Sequence, residues 1–183
     1  MVTSSQGLTD QSISFQLMWE LNATTTAAET AVAQLIPHGE RSRGMPIQPA
    51  RHWQVPVVRS ITKLLDLPEN WNSYGSSRIR RDTAMFAIEI LENIMAAGTP
   101  LPTVVPTPNG GIQLEWHENG VNFEIDVLEP YRCEYAYHDE RSGAGQVYGE
   151  LENDLQPLQQ PILVLTQRAD DEMFTLRRAR VAA

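Results

Sequence analysis

The chain contains 183 residues, of which 42% are hydrophobic and 20% are charged, and its formal net charge is −9. These values are typical of a globular chain that forms one domain, or one domain with an appendage. The sequence has no run of about 18 apolar residues, so we expect no membrane-spanning segment.

The cysteine content and the first residues indicate the compartment. Cys133 is the only cysteine, so no internal disulfide can form, and a reducing compartment is the simplest interpretation. The chain does not open with a basic segment followed by an apolar stretch, so we expect no signal peptide. Together these features predict a cytoplasmic protein.

Three segments are predicted along the chain. They are an N-terminal arm over residues 1–55, an α+β domain over residues 56–166 and a C-terminal tail over residues 167–183. Near the end of the domain, residues 152–165 contain Pro157 and Pro161. This segment is predicted to be either an interrupted helix or a short helix followed by a strand.

The N-terminal arm has two patterned stretches and a linker. Apolar and polar residues alternate over residues 13–19, which favours an edge strand. Residues 22–36 have the pattern of a helix that Pro37 ends. Residues 37–54 contain three prolines and two glycines without a period, which is typical of a linker.

Two helices are predicted ahead of the sheet. The first covers residues 57–65, whose apolar side chains lie on one helical face. The second has a buried stripe formed by Ala84, Ala87, Ile88, Leu91, Ile94 and Met95. Ser76 or Ser77 can cap the N-terminus of this second helix, and Gly98 can close its C-terminus.

A turn-rich loop over residues 67–75 separates these helices and carries Trp71 and Tyr74. Two interpretations are open. The two aromatic side chains could anchor the loop on the core, or they could form an exposed recognition loop, since exposed loops often carry binding residues.

Residues 101–138 predict their own strand pairing. Asn119-Gly120 is typical of a two-residue type I′ turn, because both central positions need a positive φ. This turn pairs apolar residues on one face: Trp116 with Phe123, Leu114 with Ile125, and Ile112 with Val127. It pairs polar residues on the other face: His117 with Asn122, Glu115 with Glu124, and Gln113 with Asp126. A slip of one residue would reverse the two faces, so the register is well specified.

Two further connections extend this hairpin. A two-residue turn at Asn109-Gly110 and a three-residue connection over 128–130 predict these pairs: Val105 with Leu114, Thr103 with Trp116, Ile125 with Cys133, Phe123 with Tyr135, and Val121 with Tyr137. A fifth strand is predicted near residues 146–151. The sequence therefore predicts an α+β fold, an antiparallel meander of four to five strands with helices packed on its apolar face.

The polar face of the predicted sheet concentrates carboxylates. The register places Glu115, Glu124 and Glu134 in one row across adjacent strands, and directly opposed like charges destabilise a sheet. The predicted neighbours of this row are His117, Asp126 and Arg132, with Arg132 opposite Asp126. Such a row could bind a divalent cation, raise one carboxyl pKa for acid–base chemistry, or be a solvated sheet face.

The net charge is unevenly distributed. Residues 112–154 contain eleven acidic and two basic residues, so the whole of the −9 lies in the predicted sheet and its loops. A phosphate backbone would be repelled there, which argues against a nucleic-acid partner on the sheet.

Motifs for catalysis are absent from the sequence. It contains no P-loop, no G-x-S-x-G elbow and no G-x-G-x-x-G. His117 and His138 are predicted two strands apart, so they are not a ready zinc pair, and Cys133 is predicted to be buried and inert. We therefore assign no catalytic residue, no metal ligand and no cofactor.

Three segments and the helix after the first of them resemble a known family. Residues 67–75 (LPENWNSYG), a helix, residues 102–116 (PTVVPTPNGGIQLEW) and residues 121–127 (VNFEIDV) are similar to a family of short uncharacterised bacterial proteins. Those proteins share an ENW-x-x-YG loop and a P-T-P-x-G-G-I-x-L-E-W hairpin. The resemblance covers roughly residues 65–155 and implies a bacterial cytosolic domain, without an activity.

Two functional hypotheses follow. The first is a non-enzymatic interaction protein that binds a basic protein partner, as an antitoxin, immunity protein or adaptor would. Its binding residues would be Glu115, His117, Glu124, Asp126 and Glu134, with Trp71 and Tyr74 as a second surface. The second is a small metal-dependent hydrolase that uses the row Glu115, Glu124 and Glu134. The absence of a nucleophile motif favours the first, and the sequence sets no oligomeric state.

Overall fold

The structure is a computed structural model that describes residues 51–151 and 154–181. Within these residues the elements, in chain order, are α1 (Gln54–Leu65), α2 (Arg81–Ile94), β1 (Thr103–Pro106), β2 (Ile112–Glu118), β3 (Val121–Glu129), β4 (Arg132–Asp139), β5 (Val147–Leu151) and α3 (Gln156–Val181). The predicted strand over residues 13–19 and the predicted helix over residues 22–36 lie outside the described residues.

The five strands form one sheet in the order β1-β2-β3-β4-β5, and every neighbouring pair is antiparallel. The predicted α+β meander, with its fifth strand and with helices on one face, is therefore confirmed. In the described part of the chain, no helix is long and apolar enough to cross a membrane.

The register between β2 and β3 is as predicted at all six pairs. Asn119 and Gly120 have φ values of 56° and 72°, the left-handed region that this turn requires. Trp116 and Phe123 stack with their ring centroids 5.2 Å apart, and both are buried. The turn and the apolar alternation together fix this hairpin.

The predicted register of β1 is wrong by one residue. Val104, and not Val105, lies opposite Leu114, and Thr103 lies opposite Glu115. The loop between the two strands has five residues instead of two. Within it the backbone N–H of Thr107 donates to the Gly111 carbonyl at 3.1 Å, which continues the shifted register towards the turn. An odd shift exchanges the two faces, so Thr103 and Val105 join the polar face.

The predicted register of β4 is wrong by two residues. Ile125 lies opposite Tyr135, and not opposite Cys133. The connection is a tight turn at Pro130-Tyr131, in which Tyr131 has a φ of 64°, and the register shifts between Val127 and Glu129. A shift of two residues leaves each β4 side chain on its predicted face of the sheet. Cys133, a predicted core residue, is therefore still buried.

The N-terminus of α2 differs from the prediction, whereas its buried stripe does not. All six predicted stripe residues are buried. The N-cap position is Arg80, and not Ser76 or Ser77, and no side chain caps the helix there. Ser76 is buried and its hydroxyl accepts the Asn72 N–H, while the Ser77 N–H donates to the Pro108 carbonyl. These two serines fasten the preceding loop instead.

Trp53 is a core residue that the sequence pattern does not reveal. It falls in the proline- and glycine-rich stretch predicted as a linker, yet its exposed fraction is 0%. It directly precedes α1, whose Val57, Val58 and Ile61 are also buried. The packed core therefore includes this end of the predicted linker.

α3 is one continuous helix of 26 residues. Of the two alternatives predicted for residues 152–165, the one with a strand is therefore wrong. Pro157 lies in the first turn, where a backbone N–H has no helical partner. Pro161 stands inside the helix and is buried. The helix reaches Val181 and thus includes most of the segment predicted as a tail.

Arg168 fastens α3 to the end of the sheet. Its guanidinium donates to both carboxylate oxygens of Asp139 at 2.7 and 2.8 Å, and to the carbonyls of Asn119 and Gly120 at 3.1 and 3.3 Å. The Arg168 and Asp139 side chains are only 17% and 11% exposed. This shielded ion pair joins α3 to the β2–β3 turn and to the end of β4.

Candidate functional site

Two rows of side chains cross the polar face of the sheet. The register defines the first row as Gln113, Asp126, Glu134 and Glu150, and the second as Thr103, Glu115, Glu124, Ala136 and Tyr148. Five carboxylates therefore lie on adjacent positions of one face. We call Glu115, Glu124, Asp126, Glu134 and Glu150 the carboxylate cluster.

The predicted row of Glu115, Glu124 and Glu134 does not form. Glu124 lies opposite Ala136, and Glu134 lies opposite Asp126. The cause is the tight turn before β4, which moves every β4 residue by two positions. The pairing of Glu115 with Glu124 is as predicted, and the strand-crossing row of three carboxylates is Asp126, Glu134 and Glu150 instead.

Arg132 does not compensate the cluster as predicted. It pairs with Glu129 at the end of the hairpin, where its Nη1 lies 3.3 Å from a carboxylate oxygen. Both side chains are largely exposed, so this ion pair adds little stability. The position opposite Asp126, predicted to hold a base, holds the acid Glu134.

His117 is the basic side chain beside the cluster. Its Nε2 lies 3.7 Å from a Glu115 oxygen and 3.6 Å from a Glu124 oxygen. Its Nδ1 lies 3.0 Å from the side-chain oxygen of Asn122, whose amide nitrogen donates to Glu140 at 2.9 Å. Imidazole carries a charge only when it is protonated, so His117 offsets the two glutamates in its protonated form.

The pKa of Asp126 is raised, in part by repulsion within the cluster. Burial raises the pKa of this half-buried carboxyl, and the charges of Glu124, Glu134 and Glu115 raise it further. Gln113 lies opposite Asp126 but donates its hydrogen bond to Glu124 at 3.2 Å. The cluster is therefore a place where like charges are held together against their mutual repulsion.

Metal binding would require several of these ligands to converge on one point. Across residues 51–151 and 154–181, no group of three or more His, Cys, Asp or Glu side chains is arranged to hold a metal ion. His117 and His138 lie two strands apart with Asn122 between them, as predicted. Burial raises the pKa of the Cys133 thiol to about 12, which keeps this sulfur protonated and unreactive.

Trp71 and Tyr74 have different surroundings. Trp71 is half-buried, and its indole N–H donates to the Ser77 carbonyl at 3.3 Å. Tyr74 is 92% exposed. The Asn70 side chain accepts the Gly75 N–H at 2.6 Å and so holds the loop closed. The anchoring interpretation therefore fits Trp71, and the exposed interpretation fits Tyr74.

Tyr148 and Glu150 belong to the polar face but were not among the predicted site residues. Tyr148 is 70% exposed and lies opposite Ala136, which separates it from Glu124 in the same row. The alternation in β5 could have indicated that both side chains point to one face. Their neighbours on β4 depend on the β4–β5 connection, for which the sequence predicted no register.

Comparisons of the chain with protein-family models, with curated proteins and with solved structures gave no match. The resemblance of the ENW-x-x-YG loop and the hairpin to a bacterial family therefore stays a prediction.

Proposed function

We propose that this is a non-enzymatic cytoplasmic interaction protein whose carboxylate cluster binds a basic region of a protein partner. An antitoxin, an immunity protein or an adaptor would work in this way. The register carries the proposal, because it gathers five carboxylates on one face of the sheet. Burial and three of these carboxylates raise the pKa of Asp126. Groups with perturbed pKa values concentrate at functional sites, since they are kept at a cost to folding.

A basic partner would relieve the repulsion within the cluster. Lysine or arginine side chains placed against Glu124, Glu134 and Asp126 would replace three unfavourable interactions with favourable ones. Complementary charge raises the association rate and rejects partners of the wrong sign. Nucleic acid is such a wrong partner, since its phosphates would meet carboxylates.

Tyr148 gives this surface an aromatic anchor. Its ring is 70% exposed and lies in the same row as Glu124. Tyrosine is enriched among the residues that dominate binding energy, and its face attracts guanidinium groups. An arginine of the partner could therefore stack on Tyr148 while it contacts Glu124.

The hydrolase hypothesis has less support. It depended on a row of three glutamates, and Glu134 is not in that row. We therefore retain the interaction hypothesis alone.

Charge reversal of the exposed cluster tests the proposal. The variant combines Glu124→Lys, Glu134→Lys and Glu150→Lys, three side chains with partial or full exposure. A matched control combines Asp66→Lys, Glu69→Lys and Glu89→Lys, which are all exposed and lie outside the sheet. Both variants change the net charge equally.

The wild-type chain and both variants are used to capture partners from a lysate of the native host, at low and at high salt. We expect capture by the wild type and the control at low salt, and its loss in the cluster variant. Capture should weaken at high salt, because exposed charges are screened over about 8–10 Å. Equal capture by both variants would contradict the carboxylate cluster as the binding surface. The loop around Tyr74 would then be the next surface to test.

A further inference from the structure

The last third of α3 is exposed and is not packed in the core of the domain. Leu158, Ile162 and Leu165 are buried, and Arg168 is held against the sheet. From Asp171 onward the burial changes, and all residues over 171–180 are exposed. We call residues 171–180 the overhanging segment.

The face of α3 that is buried in its first half continues into the overhanging segment, where it carries Leu176 and Ala179 together with the acid Glu172. Steps of four and three residues connect Leu158, Ile162 and Leu165, and such steps keep side chains on one face of a helix. The same steps lead next to Ala169, Glu172, Leu176 and Ala179. Leu176 is 57% exposed, and its neighbour Met173 is 53% exposed. The face that packs on the domain in the first half of α3 is therefore uncovered in the second half.

Charge is arranged symmetrically about Leu176. On the stripe side, Glu172 lies four residues before it and Arg180 lies four residues after it. If a second copy of the helix ran antiparallel with Leu176 opposite Leu176, each Glu172 would face an Arg180. A parallel arrangement would instead place Glu172 against Glu172. The segment is therefore complementary to itself in one orientation, as a twofold interface requires.

We propose that the overhanging segments of two copies of this chain pair antiparallel about a twofold axis at Leu176. Met173 and Leu176 of both copies would form the apolar centre, with small Ala179 beside them. Two ion pairs between Glu172 and Arg180 would set the orientation, as complementary charges do in coiled coils.

The surroundings of Glu172 are consistent with this partner. Burial raises the pKa of the Glu118 carboxyl, and the charge of Glu172 raises it further, so these two carboxylates lie near each other. An arginine from a second copy would reach a local excess of negative charge there. On the far side of the helix, Phe174 lies under its own Arg178, whose Cζ is 5.7 Å from the ring centroid.

Charge exchange tests the orientation. The full chain is examined by sedimentation velocity from about 1 µM to about 1 mM, the range in which a contact of this small size should associate. Glu172→Arg and Arg180→Glu should each weaken the dimer at least about tenfold, because each creates two like-charge contacts. The double variant should restore the wild-type constant, and a mixture of the two single variants should form a heterodimer.

Matched apolar variants test the face. Leu176→Asp should abolish the dimer, whereas Phe174→Asp, on the opposite side and equally exposed, should leave it intact. Circular dichroism of each variant verifies that the helix is retained. A wild-type chain that is monomeric at the highest concentration would overturn the proposal. So would a double charge variant that is no stronger a dimer than the single variants, or equal effects of Leu176→Asp and Phe174→Asp.

Discussion

Asp126 and Asp139 are aspartates on neighbouring strands whose surroundings shift their pKa values in opposite directions. Burial and three carboxylates raise the pKa of Asp126. Burial alone would also raise the pKa of Asp139, but hydrogen bonds from Arg168 and from the Arg141 backbone hold it below its ordinary value. Asp139 is paired with a cation within the fold, whereas Asp126 lies among other carboxylates.

This contrast makes the substitution Asp126→Asn informative. A raised folded-state pKa means that protonated Asp126 stabilises the fold, and that this contribution is lost as the pH rises through the folded-state pKa. The amide cannot ionise, so we expect Asp126→Asn to raise the melting temperature at neutral pH. The gain should disappear below about pH 4, where the wild-type carboxyl is also neutral.

Calorimetry of the wild type and of Asp126→Asn, from neutral pH to below about pH 4, measures the difference in melting temperature. Asp139→Asn is the control of opposite sign, because a lowered pKa adds stability at neutral pH that is lost on acidification. If Asp126→Asn lowered the melting temperature at neutral pH, the Asp126 carboxylate would have a favourable partner and the cluster would not be under repulsion.

At the scale of elements, the sequence predicts the strands and helices better than their registers. Asn119-Gly120 has one well-defined turn type, so the β2–β3 pairing could be read directly. The Pro130-Tyr131 turn could not, because tyrosine rarely adopts a positive φ and gives no turn signal. The length of the β1–β2 loop could not be predicted either. Asn109-Gly110 is typical of a two-residue turn, but the loop is longer and includes Gly111.

The same limits apply to the site. Glu115 and Glu124 meet as predicted because they share the well-specified hairpin. Glu134 lies beyond the unrecognised turn, so its predicted neighbours were wrong. Tyr148 and Glu150 lie one strand further, where their neighbours could not be derived at all. Errors in register therefore accumulate outward from the hairpin.

Trp116 tests the apolar side of this hairpin. It is 1% exposed, stacks on Phe123, and its indole N–H donates to the Pro100 carbonyl at 2.9 Å. Trp116→Ala should therefore lower the free energy of unfolding by about 3–5 kcal/mol, measured by urea denaturation. Tyr74→Ala, at a 92% exposed aromatic, should change it by less than about 0.5 kcal/mol. Similar small effects at both sites would mean that the apolar face is not the core.

Substitution of Arg168 tests how strongly this residue attaches α3 to the sheet. Its removal would leave the shielded Asp139 without its cation and free two carbonyl groups at the β2–β3 turn. Breaking a buried ion pair from one side costs about 3–5 kcal/mol, and the partial exposure of this pair puts our expectation for Arg168→Ala near 3 kcal/mol. Arg132→Ala, which breaks the exposed pair with Glu129, should cost less than about 1 kcal/mol. Chemical denaturation compares the two, and equal values would show that Arg168 is not a fastening residue.

At the scale of the whole molecule, the net charge is concentrated in one part of the chain. The net −9 lies within residues 112–154, and much of it is on the polar face of one sheet. The helices cover the opposite, apolar face of that sheet. A protein that gathers like charge on one face lowers its own stability slightly and gains long-range attraction for a partner of opposite sign.

Labelling of carboxyl groups tests directly whether the carboxylate cluster is the surface that binds the partner. The full chain, with and without a partner recovered by capture, is treated with a carbodiimide and an amine, and each modified Asp and Glu is quantified by mass spectrometry. We expect Glu124, Glu134 and Glu150 to lose labelling when the partner is bound. Glu69 and Glu89, exposed and outside the sheet, should keep theirs. Unchanged labelling of all three cluster residues in the bound complex would contradict the carboxylate cluster as the binding surface.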